Sequence, residues 1–123
     1  MANRLIVAVD QGTSSSKGLL LDAQFAELAS VHAPVALQTP AAGWVQQDAT
    51  EIWQSVLRCL NELGDAVPTD AEVAGIALSN QRESAIAWNA KTGEPIGPML
   101  GWQDRRTQSA AAAFDQRDAE RIR

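Results

Sequence analysis

The chain has 123 residues, of which 46% are hydrophobic and 20% charged, and its net charge is −5. These fractions are typical of globular proteins and exclude a disordered or fibrous polypeptide. The acidic balance, without any strongly basic segment, argues against a nucleic acid or an anionic membrane as partner, although backbone N–H groups could still hold a phosphate.

The first predicted elements are three strands. Residues 4–10 form a continuous apolar run, which is typical of a strand buried on both faces. The second predicted strand, over 17–22, follows after only about six residues, too few for a crossover connection. The two strands should therefore be antiparallel. A third strand is predicted over 27–35.

The clearest helix signal covers residues 48–64. Asp48, with Glu51 three residues later, matches the start of a capping box. Apolar residues then recur at helical spacing, and Gly64 stands where a C-terminal cap is expected.

The second half of the chain predicts three strands and a helix. The strands are expected over 72–79, 84–89 and 96–102, with a turn at 91–93 between the last two. A helix is predicted from Arg105 onward. Its thin apolar face consists of alanines, Phe114 and Ile122.

A polar loop follows the first strand and is the sharpest candidate for chemistry. Gly12 permits a tight turn, and the hydroxyl and N–H groups around it could hold phosphate oxygens. A carboxylate at the strand end could hold Mg²⁺ directly or through water. The alternative is a serine-rich hairpin turn with a solvated lysine. The residues concerned are Asp10, Thr13, Ser14, Ser15 and Lys17.

Two further polar segments lie at predicted strand ends, where open α/β sheets bind ligands. Glu83 could accept hydrogen bonds from hydroxyl groups and Arg82 could donate several to the same polyol. The alternative is a surface ion pair worth about 0–1 kcal/mol. Trp102 could form the apolar wall of a small pocket or belong to the core, and Asp104 could cap the following helix.

A few residues indicate the cellular compartment and limit the kinds of metal site that the chain could form. Cys59 is the only cysteine, which fits a reducing compartment, and the first residues contain no apolar run of signal-peptide length. We therefore expect a cytoplasmic protein. His32 is the only histidine, which leaves no material for a histidine–cysteine metal site or a histidine-based triad.

Taken together, these segments resemble the N-terminal part of the FGGY family of carbohydrate kinases, most closely its glycerol kinases. The resemblance implies an α/β, ribonuclease-H-like fold of the actin/hexokinase/Hsp70-like ATPase type. Residues 1–123 would then be the N-terminal part of the first of two domains, and the chain a fragment of a longer one. The residues that carry the resemblance are 10–16, 43–45, Asp48, 51–53, 80–83, 92–93, 95–96 and 102–107.

The resemblance also implies roles for individual residues in a full-length enzyme that phosphorylates glycerol or a related small polyol with ATP and Mg²⁺. Asp10 would associate with the metal, while Arg82, Glu83 and Trp102 would bind the polyol. The nucleotide phosphates would lie against Thr13, Ser14, Ser15 and Lys17. The catalytic aspartate would lie beyond Arg123, so no catalytic residue is expected within this segment, which alone should be inactive.

Some positions depart from the glycerol kinase pattern. Lys17 stands where arginine is usual, which keeps the charge but loses the bidentate fork. Gln46 and Gln47 replace a more typical Glu-His pair. Another FGGY sugar kinase, such as a xylulokinase, and a non-catalytic binding module are the alternatives. Whether the protein forms a homo-oligomer is left open.

Overall fold

A computed structural model describes residues 3–114 and 116–121. Within these residues the chain forms six strands and three helices. The strands are β1 (Asn3–Gln11), β2 (Ser15–Leu21), β3 (Glu27–Pro34), β4 (Gln46–Gln47), β5 (Ala71–Asn80) and β6 (Met99–Leu100). The helices are α1 (Ala49–Asp65), α2 (Gln108–Ala113) and α3 (Gln116–Arg121).

Four strands form the main sheet, in the order β3-β2-β1-β5. β1 and β2 are antiparallel, as predicted from the short loop between them, and Asp10 lies opposite Lys17. β2 and β3 are also antiparallel. β5 pairs with β1 in parallel after the long connection that contains α1, which agrees with the length a parallel crossover needs.

Helix α1 begins as predicted but ends later. The Asp48 carboxylate accepts hydrogen bonds from the N–H groups of Thr50 (2.7 Å) and Glu51 (3.0 Å). The Glu51 carboxylate instead accepts from the N–H of Ala36 at 2.9 Å, so the capping box is only half formed. The expected cap at Gly64 is wrong, because the helix continues through Gly64 to Asp65.

One face of the sheet packs against α1 and forms the core. The buried apolar residues there are Leu5, Val7, Val9, Leu20, Ala33, Cys59 and Leu63. The prediction that residues 4–10 are buried on both faces is wrong: Ile6 and Ala8 are only half-buried, and Asp10 is exposed. The reason is that α1 covers one face, and the described residues place no second layer on the other.

The second half of the chain contains less regular structure than predicted. Residues 84–89 form isolated bridges, from Ala85 to Leu100 and from Trp88 to Pro95, instead of a continuous strand. β6 pairs with β4, which brings the loop before α1 next to residues 99–100. The chain between Trp88 and Pro95 is mostly polar and contains a glycine, and such residues favour a turn over a continuous pair of strands.

The predicted C-terminal helix is interrupted. Phe114 ends α2 in an extended conformation (φ −70°, ψ 126°), and Thr107 at its N-terminus makes no side-chain capping bond. Residues 108–113 are exposed, so few contacts support the helix. Ile122, expected on its apolar face, lies outside the described residues. Among those residues no helix is both long and apolar enough to cross a bilayer.

The contact between β2 and α1 depends on Gly18. A Cβ atom added there would lie 2.8 Å from Leu63 Cδ1 and 3.1 Å from Cys59 Cβ. We therefore expect Gly18→Ala to lower the free energy of unfolding by about 1–3 kcal/mol, measured by urea denaturation.

Gly64 is the matched control, because it is an exposed residue of α1 and a Cβ atom there would meet nothing within 4 Å. Gly64→Ala should stabilise the protein by about 0.5–1 kcal/mol. Equal effects of the two substitutions would contradict the close packing of α1 on β2.

Candidate functional site

The candidate site is a cleft at the carboxyl ends of β1 and β5. These strands are adjacent and parallel, so the residues that follow them meet at one edge of the sheet. The cleft has a volume of about 470 Å³. Its lining combines all three segments singled out from the sequence: Asp10, Gly12, Thr13, Asn80, Gln81, Arg82, Glu83 and Trp102.

The loop between β1 and β2 is a tight turn held at both ends. The Gly12 N–H donates to the Ser15 carbonyl at 2.8 Å, and the Val35 N–H donates to the Ser14 carbonyl at 2.9 Å. Behind the loop, the buried Ser16 hydroxyl is 2.7 Å from the Ser55 hydroxyl of α1. The two backbone bonds hold the turn itself, whereas the hydroxyl pair joins β2 to α1.

Trp102 reaches this loop from the other side of the cleft. Its indole Nε1–H donates to the Thr13 hydroxyl at 3.3 Å. Trp102 is 52% exposed, so the alternative that it belongs to the core is wrong. The ring presents an apolar surface beside the polar residues of the loop, as the wall of a pocket would.

Arg82 and Glu83 occupy the loop after β5, and both side chains are exposed at the cleft. Glu83 has a left-handed backbone conformation, with φ of 60°. Such a conformation costs a non-glycine residue roughly 1–2 kcal/mol and is found disproportionately at ligand sites. The two side chains form no ion pair with each other in the described structure, which removes the reading of this pair as a surface salt bridge.

The remaining residues of the predicted phosphate loop are placed differently. Lys17 lies opposite Asp10 on the open face of the sheet and lines an adjoining cavity of about 310 Å³, which it shares with Asp10 and Ser79. Ser14 and Ser15 line neither cavity and contribute the carbonyl groups of the turn. The prediction of one phosphate loop therefore put together residues that the fold separates: Thr13 lines the cleft, and Lys17, Ser14 and Ser15 do not.

The carboxylates at the cleft bear on which metal it could hold. Across residues 3–114 and 116–121 no cluster of three or more His, Cys, Asp or Glu side chains could hold an ion alone. Asp10 nevertheless fits Mg²⁺, which keeps several waters and binds through one or two carboxylates plus substrate phosphates. The residues are thus compatible with a metal that arrives with a nucleotide.

A group of glutamines behind the cleft was missed by the sequence reasoning. Gln11, Gln47 and Gln81 meet there, and the Gln81 amide nitrogen lies 3.1 Å from both Gln11 Oε1 and Gln47 Oε1. Gln81 in turn accepts a bond from the Ser84 hydroxyl at 3.0 Å. The available signal was three uncharged amides at or directly after strand ends, a pattern with little specificity.

A second cluster fixes the segment that carries Trp102. Asp104 does not cap a helix, as was predicted, but accepts bonds from Arg106 Nε at 2.9 and 3.0 Å and from the Val45 N–H at 2.7 Å. The Arg106 guanidinium also lies 4.0 Å from the centre of the Trp44 ring and donates to Gln46 at 2.8 Å. This cluster ties the loop before α1 to residues 101–106.

This cluster predicts a response to acid. Hydrogen bonding to Arg106, with smaller contributions from the N–H groups of Val45 and Arg106, lowers the pKa of Asp104 to about 2. Because an unfolded chain titrates this group near pH 3.9, the stabilisation is complete above that pH and is lost as the pH falls toward 2. Urea denaturation between pH 5 and 2 should show a steeper loss for the wild type than for Asp104→Asn. If the unfolding free energies of the two proteins fall in parallel over this pH range, the prediction is wrong.

Comparison with known proteins agrees with this geometry. Residues 5–122 match the sequence model described as "FGGY family of carbohydrate kinases, N-terminal domain". Glycerol kinase of Geobacter sp. (strain M21) is 39% identical over 94% of this chain and 23% of that protein.

Solved structures agree as well. Gluconate kinase from Lactobacillus acidophilus superposes with a TM-score of 0.84 at 25% identity, over 98% of this chain and 24% of that one. Plasmodium falciparum glycerol kinase with ADP gives 0.83 at 26% identity, over 96% and 25%.

The chain thus spans about a quarter of the length of the relatives it matches. The predicted fold class is confirmed: the sheet and α1 have the fold of the actin/hexokinase/Hsp70-like ATPases. Because the family match extends over nearly the whole chain and its polar segments converge on one cleft, the chain belongs to the FGGY family of carbohydrate kinases.

Proposed function

We propose that the full-length protein carrying this segment transfers the γ-phosphoryl group of ATP to a hydroxyl group of glycerol or a related small polyol. The observation that carries the proposal is the cleft that joins Asp10 and Thr13 to Arg82, Glu83 and Trp102. Similarity to glycerol kinases at 39% identity supports glycerol over other substrates of the family. Residues 1–123 would form the N-terminal part of the first of two domains.

The polyol side of the cleft would use three residues. Arg82 carries up to five N–H donors and Glu83 up to four acceptor positions, which suits adjacent hydroxyl groups that both donate and accept. The Trp102 ring would pack against the carbon face of the polyol, because an indole provides a large apolar surface. Their position at the cleft supports this assignment.

The nucleotide side would use the loop after β1. Thr13, Ser14 and Ser15 would hold phosphate oxygens, Lys17 would offset their negative charge, and Asp10 would hold Mg²⁺ with its waters. The bound metal would neutralise charge on the transferring phosphoryl group. We assign none of these residues as the general base, which the resemblance to the family puts in a part of the full-length protein outside this segment.

Two other functions are candidates. The structural likeness to a gluconate kinase supports a different sugar or sugar acid as substrate. A binding module without catalysis would use the same cleft, because Arg82, Glu83 and Trp102 would bind a polyol whether or not a phosphate donor is present.

The test is turnover by the purified full-length protein with Mg·ATP, followed as ADP release. Glycerol, gluconate and xylulose are compared under identical conditions. We expect kcat/KM for glycerol to exceed the other two by at least about tenfold. A preference for gluconate or xylulose would assign a different FGGY activity. If one of these three compounds binds in the absence of ATP and no ADP is released when ATP is present, the protein is a binding module.

A further inference from the structure

Gln47 lies behind the cleft, where its side chain contacts both site loops. It is completely buried in β4, with an exposed fraction of 0%. Its amide nitrogen donates to the carbonyl of Thr13 at 2.7 Å and, more weakly, to that of Ala36 at 3.4 Å. Its amide oxygen accepts from Gln81 Nε2 at 3.1 Å. One amide group therefore joins the loop after β1 to the loop after β5.

Gln81 extends this connection to the residues that would bind the polyol. Its backbone N–H donates to the Gln11 carbonyl at 2.8 Å, and its side-chain oxygen accepts from the Ser84 hydroxyl at 3.0 Å. Arg82 and Glu83 lie between Gln81 and Ser84. Any shift of Gln81 relative to Gln47 would consequently move Arg82 and Glu83 relative to Thr13.

A purely structural role explains Gln47 poorly. Burying a primary amide is unfavourable unless each polar atom is bonded, and an apolar side chain of similar size would fill the same space. The neighbouring Gln46 points away from this network and bonds Arg106, so β4 itself is held independently. The buried amide of Gln47 instead fixes the distance between the loop after β1 and the loop after β5.

We propose that Gln47 is a positioning residue that sets the placement of the phosphate loop relative to the polyol loop. The proposal rests on the proposed kinase function, in which two substrates bound by separate loops must meet. Phosphoryl transfer needs the reacting atoms about 3–3.5 Å apart, and a displacement of about 1 Å can lower the rate roughly 100-fold. Binding of the nucleotide alone would use the loop after β1, and binding of the polyol alone would use Arg82, Glu83 and Trp102, so each is much less sensitive to a displacement between the two loops.

The test uses Gln47→Met in the full-length protein, because methionine keeps the length of the side chain and loses its hydrogen bonds. We expect kcat to fall about 10- to 100-fold, while the separately measured Kd values for ATP and for the polyol change less than about threefold. Unchanged kcat would overturn the proposal, and so would a large change in only one Kd.

Ser55→Ala is the matched control for a general loss of stability. It removes the hydrogen bonds of the Ser55 hydroxyl to Ser16 of β2 and to the Ile52 carbonyl of α1, and neither partner lies in a cleft loop. We expect it to leave kcat within about twofold of the wild type at a comparable loss in unfolding free energy, about 1 kcal/mol. If both variants lose kcat equally, Gln47 acts only through stability.

A readout without catalysis separates failure of this proposal from failure of the kinase assignment. The Gln81 N–H, bonded to Gln11, and the Val35 N–H, bonded to Ser14, report on the two loops. In Gln47→Met, hydrogen exchange at both amides should accelerate relative to Ser55→Ala. Acceleration at one amide or neither would overturn the coupling, whether or not the wild type phosphorylates any of the tested substrates.

Discussion

Replacing Glu83 by alanine in the full-length protein is expected to lower kcat/KM for the polyol about 30- to 1,000-fold. The carboxylate is exposed at the cleft and would accept hydrogen bonds from substrate hydroxyls, and losing a hydrogen bond to a charged group in a closed site costs about 2–4 kcal/mol. Steady-state kinetics with varied polyol at saturating ATP measures the effect.

Glu83→Gln is the control for this prediction, because it keeps the shape and one acceptor but removes the charge. Its loss should be smaller than that of Glu83→Ala, since charge-assisted hydrogen bonds are roughly twice as strong as neutral ones. If Glu83→Ala changes kcat/KM by less than about threefold, the assignment of Glu83 to the polyol is wrong.

Replacing Lys17 by alanine should weaken the nucleotide side instead. We expect kcat/KM for ATP to fall about 10- to 100-fold, because a cation near the phosphates is lost, while binding of the polyol alone changes little. Lys17 lies on the open sheet face opposite Asp10, outside the cleft lined by Arg82 and Glu83. ATP and polyol affinities measured by calorimetry separate the two effects.

Lys17→Arg keeps the positive charge and should retain most of the ATP affinity. The result that would contradict this assignment is an exchange of the effects expected for Lys17→Ala and Glu83→Ala. If Lys17→Ala abolished binding of the polyol while Glu83→Ala left it intact, the nucleotide and polyol halves of the site would have been assigned in the wrong order.

Local signals in the sequence were sufficient for the parts of the fold that depend on short-range chemistry. The loop between β1 and β2 is too short for anything except a hairpin, and Asp48 supplies the carboxylate that begins α1. The convergence of Asp10 with Arg82 and Glu83 was not predicted, because no local signal showed that β1 and β5 are adjacent and parallel; that pairing brings the ends of both strands to one edge of the sheet.

The features that were missed depend on long-range contacts. Gln47 is 34 residues from both Thr13 and Gln81, and nothing local marks it as buried. Asp104 has the sequence context of a helix cap, yet Arg106 and Val45 compete successfully for its carboxylate. Strand burial was overestimated because an apolar run does not reveal how many layers cover the sheet.

The left-handed backbone of Glu83 has a consequence for engineering. Glycine adopts φ near 60° without penalty, so a selection for heat resistance alone would favour glycine at this position and thereby remove the carboxylate from the cleft. Phe25 shares the conformation, with φ of 61°, but lies in the exposed turn between β2 and β3. Stabilising changes should therefore be sought at Phe25, where relief of backbone strain and retention of substrate binding do not compete.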